Sequence, residues 1–164
     1  MATNVTAKER VACAFEFRSY DRVPIYQAGF SATVGSQLLG REAYVGGGRV
    51  QYLEARALWE GEQAHQEYLR RCHDDAIELC RMLKLDIVRT SYWRMPEKPT
   101  RRIDEYTFVY GDEGGTWRVM RHDPASELYQ VIDRSPVAAP TMEDLERSVE
   151  AFEKRLETYE HAPS

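Results

Sequence analysis

The sequence is short of several things that would each name a class. It has 3 cysteines in 164 residues, too few and too odd in number for a disulfide framework. Cys72 and Cys80 fall in a strongly helical stretch, about 12 Å apart along the axis and beyond disulfide reach. A basic surplus is missing: 22 Lys+Arg stand against 27 Asp+Glu, a formal net charge of −5. That balance argues against a nucleic-acid footprint. No run approaches the ~18 to 20 apolar residues of a membrane span, and the opening segment, with Lys8, Glu9, Arg10 and Glu16, contains no secretory apolar core. A cytoplasmic location is the expectation. His65, Cys72 and His73 share one segment, but without CxxC, HxxxH or HExxH spacing they are expected to be structural or solvent-facing rather than metal ligands. Gly46-Gly47-Gly48 lacks the Lys-Ser/Thr of a phosphate loop and reads as a hinge.

What is present is 43% hydrophobic residues and enough length for one domain with a core, or for a portion of something larger. Thr6-Ala7-Lys8-Glu9 is a capping box and opens a first helix. Val23-Pro24-Ile25-Tyr26 predicts a short strand, with proline tolerated at its start. A short helix is expected from Ser31 to Leu39, closed by Gly40. The strongest periodicity follows: Leu53, Ala57, Gly61, Ala64, Tyr68, Cys72, Ala76, Leu79 and Leu83 recur every three or four residues, predicting one long helix or two with a break near Gly61. Leu85 to Arg89 predicts a second strand, and strand, helix, strand implies parallel pairing.

The pattern then changes. Tyr106–Tyr110, Thr116–Met120 and Leu128–Ile132 are β-prone runs separated by turn chemistry, predicting an inserted antiparallel meander over about 103–135. Its tyrosines, among them Tyr106, Tyr110 and Tyr129, either cover a sheet face or form a dimer contact. Thr141 opens a last helix with Leu145, Val149, Phe152 and Leu156 on one face. Its charges from Glu143 onward form a solvated face.

Taken in order, Lys8-Glu9-Arg10-Val11, Asp21-Arg22-Val23-Pro24-Ile25, the long helix, Leu85-Asp86, the Asp112 to Trp117 turn and strand, and the Pro140 to Leu145 helix start resemble the N-terminal part of the uroporphyrinogen decarboxylase superfamily. The resemblance implies an α/β fold, the N-terminal part of a TIM (β/α)₈ barrel with an inserted meander, spanning 1–164 as a single domain. The complete barrel needs ~250 residues and builds its site at the C-terminal ends of its strands. Members include tetrapyrrole decarboxylases and zinc-dependent methyltransferases that move a methyl group between a corrinoid and a thiol or related acceptor.

In the decarboxylases arginines flank the Gln-Ala-Gly after the first strand, because substrate carboxylates need guanidinium partners. Here Tyr26 and Phe30 flank Gln27-Ala28-Gly29, and the position of that branch's essential aspartate, seven beyond Asp86, holds Trp93. Those departures favour the methyltransferase branch, which Gly29-Phe30-Ser31-Ala32-Thr33 also resembles. Porphyrin-pathway decarboxylation remains an alternative. The family's zinc ligands come from later strands, so no zinc or corrinoid is expected on this chain alone, which should be inactive by itself.

The implied contribution is one wall of a tetrapyrrole or corrinoid site, the ligand either free or carried on a corrinoid protein. Tyr26 and Gln27 supply it at the end of the first strand; Arg89, Tyr92 and Trp93 supply it at the end of the second. These last residues serve equally to anchor the meander. Asp86, at the opposite end, is expected to serve stability. A non-catalytic module is the other reading, completed by a second copy or a C-terminal partner chain and driven by exposed strand edges.

Overall fold

The computed structural model describes residues 5–90, 93–112, 114–136 and 139–160. The fold is mixed α/β, with helices α1 (Ala7–Phe15), α2 (Ala32–Leu39), α3 (Gly48–Glu60), α4 (Glu62–Met82) and α5 (Met142–Glu160). The strands β1 (Arg101–Arg102), β2 (Thr107–Gly111), β3 (Trp117–Asp123) and β4 (Leu128–Arg134) form one antiparallel sheet in chain order. Two compact units divide the chain, Met1–Arg134 and Ser135–Ser164.

Local chemistry accounts for most boundaries. Thr6 and Glu9 close the expected capping box on α1. Ser31 caps α2, and Gly40 ends it in the left-handed region at φ 66°. The long periodic stretch is two helices, broken at Gly61, whose φ of 125° only glycine adopts readily. The Gly46-Gly47-Gly48 run, expected to be a hinge, is a place of close packing. A Cβ on Gly48 would lie 2.4 Å from the Glu127 carbonyl oxygen and 2.5 Å from the Tyr129 nitrogen, so glycine lets the start of α3 meet the β3–β4 turn.

The meander falls where the β-prone runs predict it, with β1 added at its edge and a bulge at Val119/Met120. It packs on α3. Tyr52 stacks on His122 with ring centroids 4.4 Å apart, and Phe108, Tyr110, Met120 and Tyr129 join the core. Tyr110 and Tyr129 hydroxyls bond each other at 2.9 Å. Both rings are buried, so they cover the sheet face and present nothing to a dimer partner.

The expected pair of parallel strands narrows to a single parallel bridge, Tyr26 to Ile87. Pro24 has no N–H, and the Ile25 N–H donates to the Asp86 side chain (2.8 Å) while the Ile25 carbonyl accepts from the Asp86 N–H (2.8 Å). A side chain thus takes a ladder position that a backbone carbonyl would have filled. In the second unit, α5 carries Met142, Leu145, Val149, Phe152 and Leu156 on one face, as its spacing predicts. No helix among the described residues is long and apolar enough to cross a membrane.

Candidate functional site

The two ends of the Tyr26–Ile87 bridge are built differently. At the amino end an ion-pair knot gathers residues far apart in sequence. Arg10 grips Asp21 with two bonds, Nε to Oδ1 at 2.6 Å and Nη2 to Oδ2 at 2.7 Å, and its Nη1 reaches Asp86. Arg22 adds two bonds to Asp86, at 2.6 and 3.0 Å. Burial alone would raise the Asp86 carboxyl. The bonds from Ile25, Arg22 and Arg10 together outweigh it and hold Asp86 below the ordinary carboxylate value. The Arg10 bonds take Asp21 down to about 2.

At the carboxyl end lies a cavity of about 60 Å³, bounded by the loop after Tyr26, by Leu79 and Cys80 on α4, and by Ile87 to Thr90. Of the residues the sequence points to, Gln27 and Arg89 line it together. Tyr26 and Trp93 do not line it. Tyr26 sits in the bridge and is 45% exposed; Trp93, 55% exposed with φ 59°, lies 4.0 Å from where a Cβ would stand on Gly47. Tyr92 lies outside the described residues. The Gln27 amide donates to the Gly29 carbonyl at 2.7 Å, tightening the loop that forms the cavity wall.

That loop is also tied from outside. Glu127, at the β3–β4 turn, accepts from the Ala32 N–H (2.9 Å), the Thr33 N–H (2.7 Å) and the Thr33 hydroxyl, so its carboxylate closes the α2 N-terminus. Burial pushes Glu127 up, but these bonds dominate and its carboxyl is lowered.

Sequence reasoning missed the cluster beside the cavity. Glu54 is fully buried on α3; its Oε1 accepts from Arg94 Nε (2.9 Å) and from Arg94 Nη2, and faces His65 Nε2 at 3.1 Å. Its Oε2 accepts the Met95 N–H at 2.8 Å. The available signal was a carboxylate sharing the apolar stripe of Val50 and Ala57, where only a paired charge is tolerated. His65 stacks on Tyr68, while His73 is exposed beside Asp74. Cys72 lines the cavity as a free thiol, pushed up to about 11 chiefly by burial, and is a poor nucleophile near neutral pH.

The chemistry available here is recognition: an apolar hollow, guanidinium groups on its wall and two half-exposed aromatics nearby. No protein-family model, curated protein or solved structure matches the chain.

Proposed function

We propose that this chain forms the N-terminal part of a uroporphyrinogen decarboxylase-like barrel of the corrinoid-dependent methyltransferase type, and supplies one wall of a corrinoid or related tetrapyrrole site. One observation carries the reading. The motif residues Arg10, Asp21, Arg22 and Asp86 meet at one end of a parallel bridge, and Gln27 and Arg89 converge beyond the other end. Such a knot gives the scattered motifs a common physical cause, and barrel sites lie at the carboxyl ends of their strands.

The cavity is too small to admit a macrocycle, so a corrinoid would lie across its mouth. The exposed rings of Tyr26 and Trp93, outside the cavity wall, would offer stacking faces, and Gln27 and Arg89, on the wall, polar contacts to its amide arms. A corrinoid brings the methyl-carrying chemistry; the residues here bind and orient. No residue of this chain is assigned to zinc.

The test is a titration of the completed barrel, this chain joined by the remaining strands, with hydroxocobalamin, followed by its visible bands and by tryptophan fluorescence. Saturable binding at tens of micromolar is expected, weakened about tenfold by Trp93→Ala or Arg89→Ala. No saturable change in either signal overturns the proposal.

One observation favours a second reading, a non-catalytic module completed by another chain. Val23 is 68% exposed, and Ile25, Ile87 and Val88 around the bridge are also exposed, leaving apolar strand edges open. Size-exclusion chromatography with light scattering decides it. A stable 19.0 kDa monomer counts against pairing of the chain with itself.

A further inference from the structure

The cavity wall is unusual for this chain. Although acidic residues outnumber basic ones, 27 to 22, the described residues of the wall include Arg89 and Arg94 and no carboxylate. The nearby carboxylate, Glu54, engages one edge of the Arg94 guanidinium through Nε and Nη2. Among the described residues Nη1 meets no hydrogen-bond partner. A buried counter-ion therefore fixes a guanidinium whose outer nitrogen remains available. Such a group costs little to order when an anion arrives. Away from the guanidinium groups the wall has an aliphatic stretch, Val45, Val50, Ala76 and Leu79, beside the polar or aromatic Gln27, Tyr44, Cys72 and Thr90.

We propose that this cavity binds a short-chain carboxylate of three or four carbons, its carboxylate on Arg94 Nη1 and its alkyl end among Val45, Val50, Ala76 and Leu79. Size sets the length. A cavity of about 150 Å³ holds the six carbons of benzene, so about 60 Å³ encloses two or three, with the carboxylate at the wall. Arg89, on the same wall, adds positive potential. Glu54 and His65 are positioning residues, acting through Arg94. The inference goes beyond the corrinoid proposal and does not rest on it, since the small ligand occupies the hollow and the corrinoid its mouth.

The experiment titrates the ¹⁵N-labelled protein with sodium butyrate, and separately with neutral butyramide, at ionic strength held constant with chloride. Butyrate should give saturable amide shifts around the cavity with a dissociation constant in the millimolar range. It should bind about tenfold more tightly than butyramide, whose interaction with Arg94 carries no charge. Arg94→Lys keeps Glu54 paired with a cation and should lose about tenfold for butyrate alone. Ala76→Leu fills the hollow without touching the cation and should abolish both titrations.

Circular dichroism checks that each variant is folded, and the wild-type comparison decides the matter if a variant is not. Equal affinity for acid and amide, shifts that never saturate, or an Ala76→Leu variant that binds normally would each overturn the proposal. Cobalamin titrated into the completed barrel separates the two ideas. Butyrate saturation without cobalamin binding leaves this one standing, whereas cobalamin binding without butyrate saturation removes it.

Discussion

Asp86→Ala removes the hub of the ion-pair knot, and its cost can be worked from the geometry. The Asp86 side chain is 1% exposed and accepts from two guanidinium groups and one backbone N–H. Removing one partner of a buried ion pair costs about 3 to 5 kcal/mol. Arg10 keeps Asp21, and Arg22 is 38% exposed and returns partly to water, so the low end, about 3 kcal/mol, applies. With a urea m-value of about 2 kcal/mol/M, the midpoint should fall by about 1.5 M. Asp86→Asn keeps an acceptor for the Ile25 N–H and should cost about 2 kcal/mol, or about 1 M.

The pH dependence has a definite sign. Asp86 is held below the ordinary carboxylate value and Asp21 is at about 2. Their stabilisation is therefore fully present above the unfolded pKa of about 4 and is lost as pH falls toward 2. The gap between wild type and Asp86→Ala should narrow over that window. Urea melts by circular dichroism at pH 7 and at successively lower pH measure both quantities. A midpoint shift below about 0.3 M, or a gap that does not narrow on acidification, would refute the reasoning.

Three further outcomes follow from the packing. Glu127→Ala opens the α2 N-terminus and should cost about 1 kcal/mol; hydrogen exchange should speed up at Ala32 and Thr33, which lose their acceptor. Glu127 is itself a lowered carboxyl, so in the wild type the protection of the same amides, taken relative to their intrinsic exchange rate, should fall as acidification protonates it, below the ordinary glutamate range. Gly48→Ala drives a Cβ into the β3–β4 turn and should destabilise by more than about 2 kcal/mol, whereas Gly114→Ala, with nothing within 4 Å, should be near neutral in the same urea melts. Tyr129→Phe strands the buried Tyr110 hydroxyl, whose pKa burial already raises to about 12, and should cost about 1 to 2 kcal/mol by thermal melting.

Much of this was legible where the cause is local. The capping box at Thr6, the Ser31 and Gly40 caps, the break at Gly61 and the meander's turns each depend on a few adjacent residues. The parallel bridge was legible in place but not in extent. Nothing in Val23 to Tyr26 reveals that a side chain 61 positions away takes the Ile25 N–H. At the candidate site, Gln27 and Arg89 were found from their strand-end positions. Arg94 and Glu54 were not, because a charge on an apolar stripe signals that it needs a partner without naming one, and their partnership spans 40 positions.

The contrast between the bridge's two ends is a consequence of how charge is spent. At the amino end Asp86 meets two guanidiniums and a backbone N–H, so its acceptor capacity is well used and the end is tied shut. At the other end Glu54 satisfies the Nε and Nη2 edge of Arg94 and leaves Nη1. The Arg94 side chain is 30% exposed, so among the described residues an Nη1 without a protein partner stays in water at little cost until an anion replaces that water. A knot that fixes the bridge and a hollow that keeps a donor in reserve are what a recognition site needs: a rigid frame, and one polar group held in place before the ligand comes.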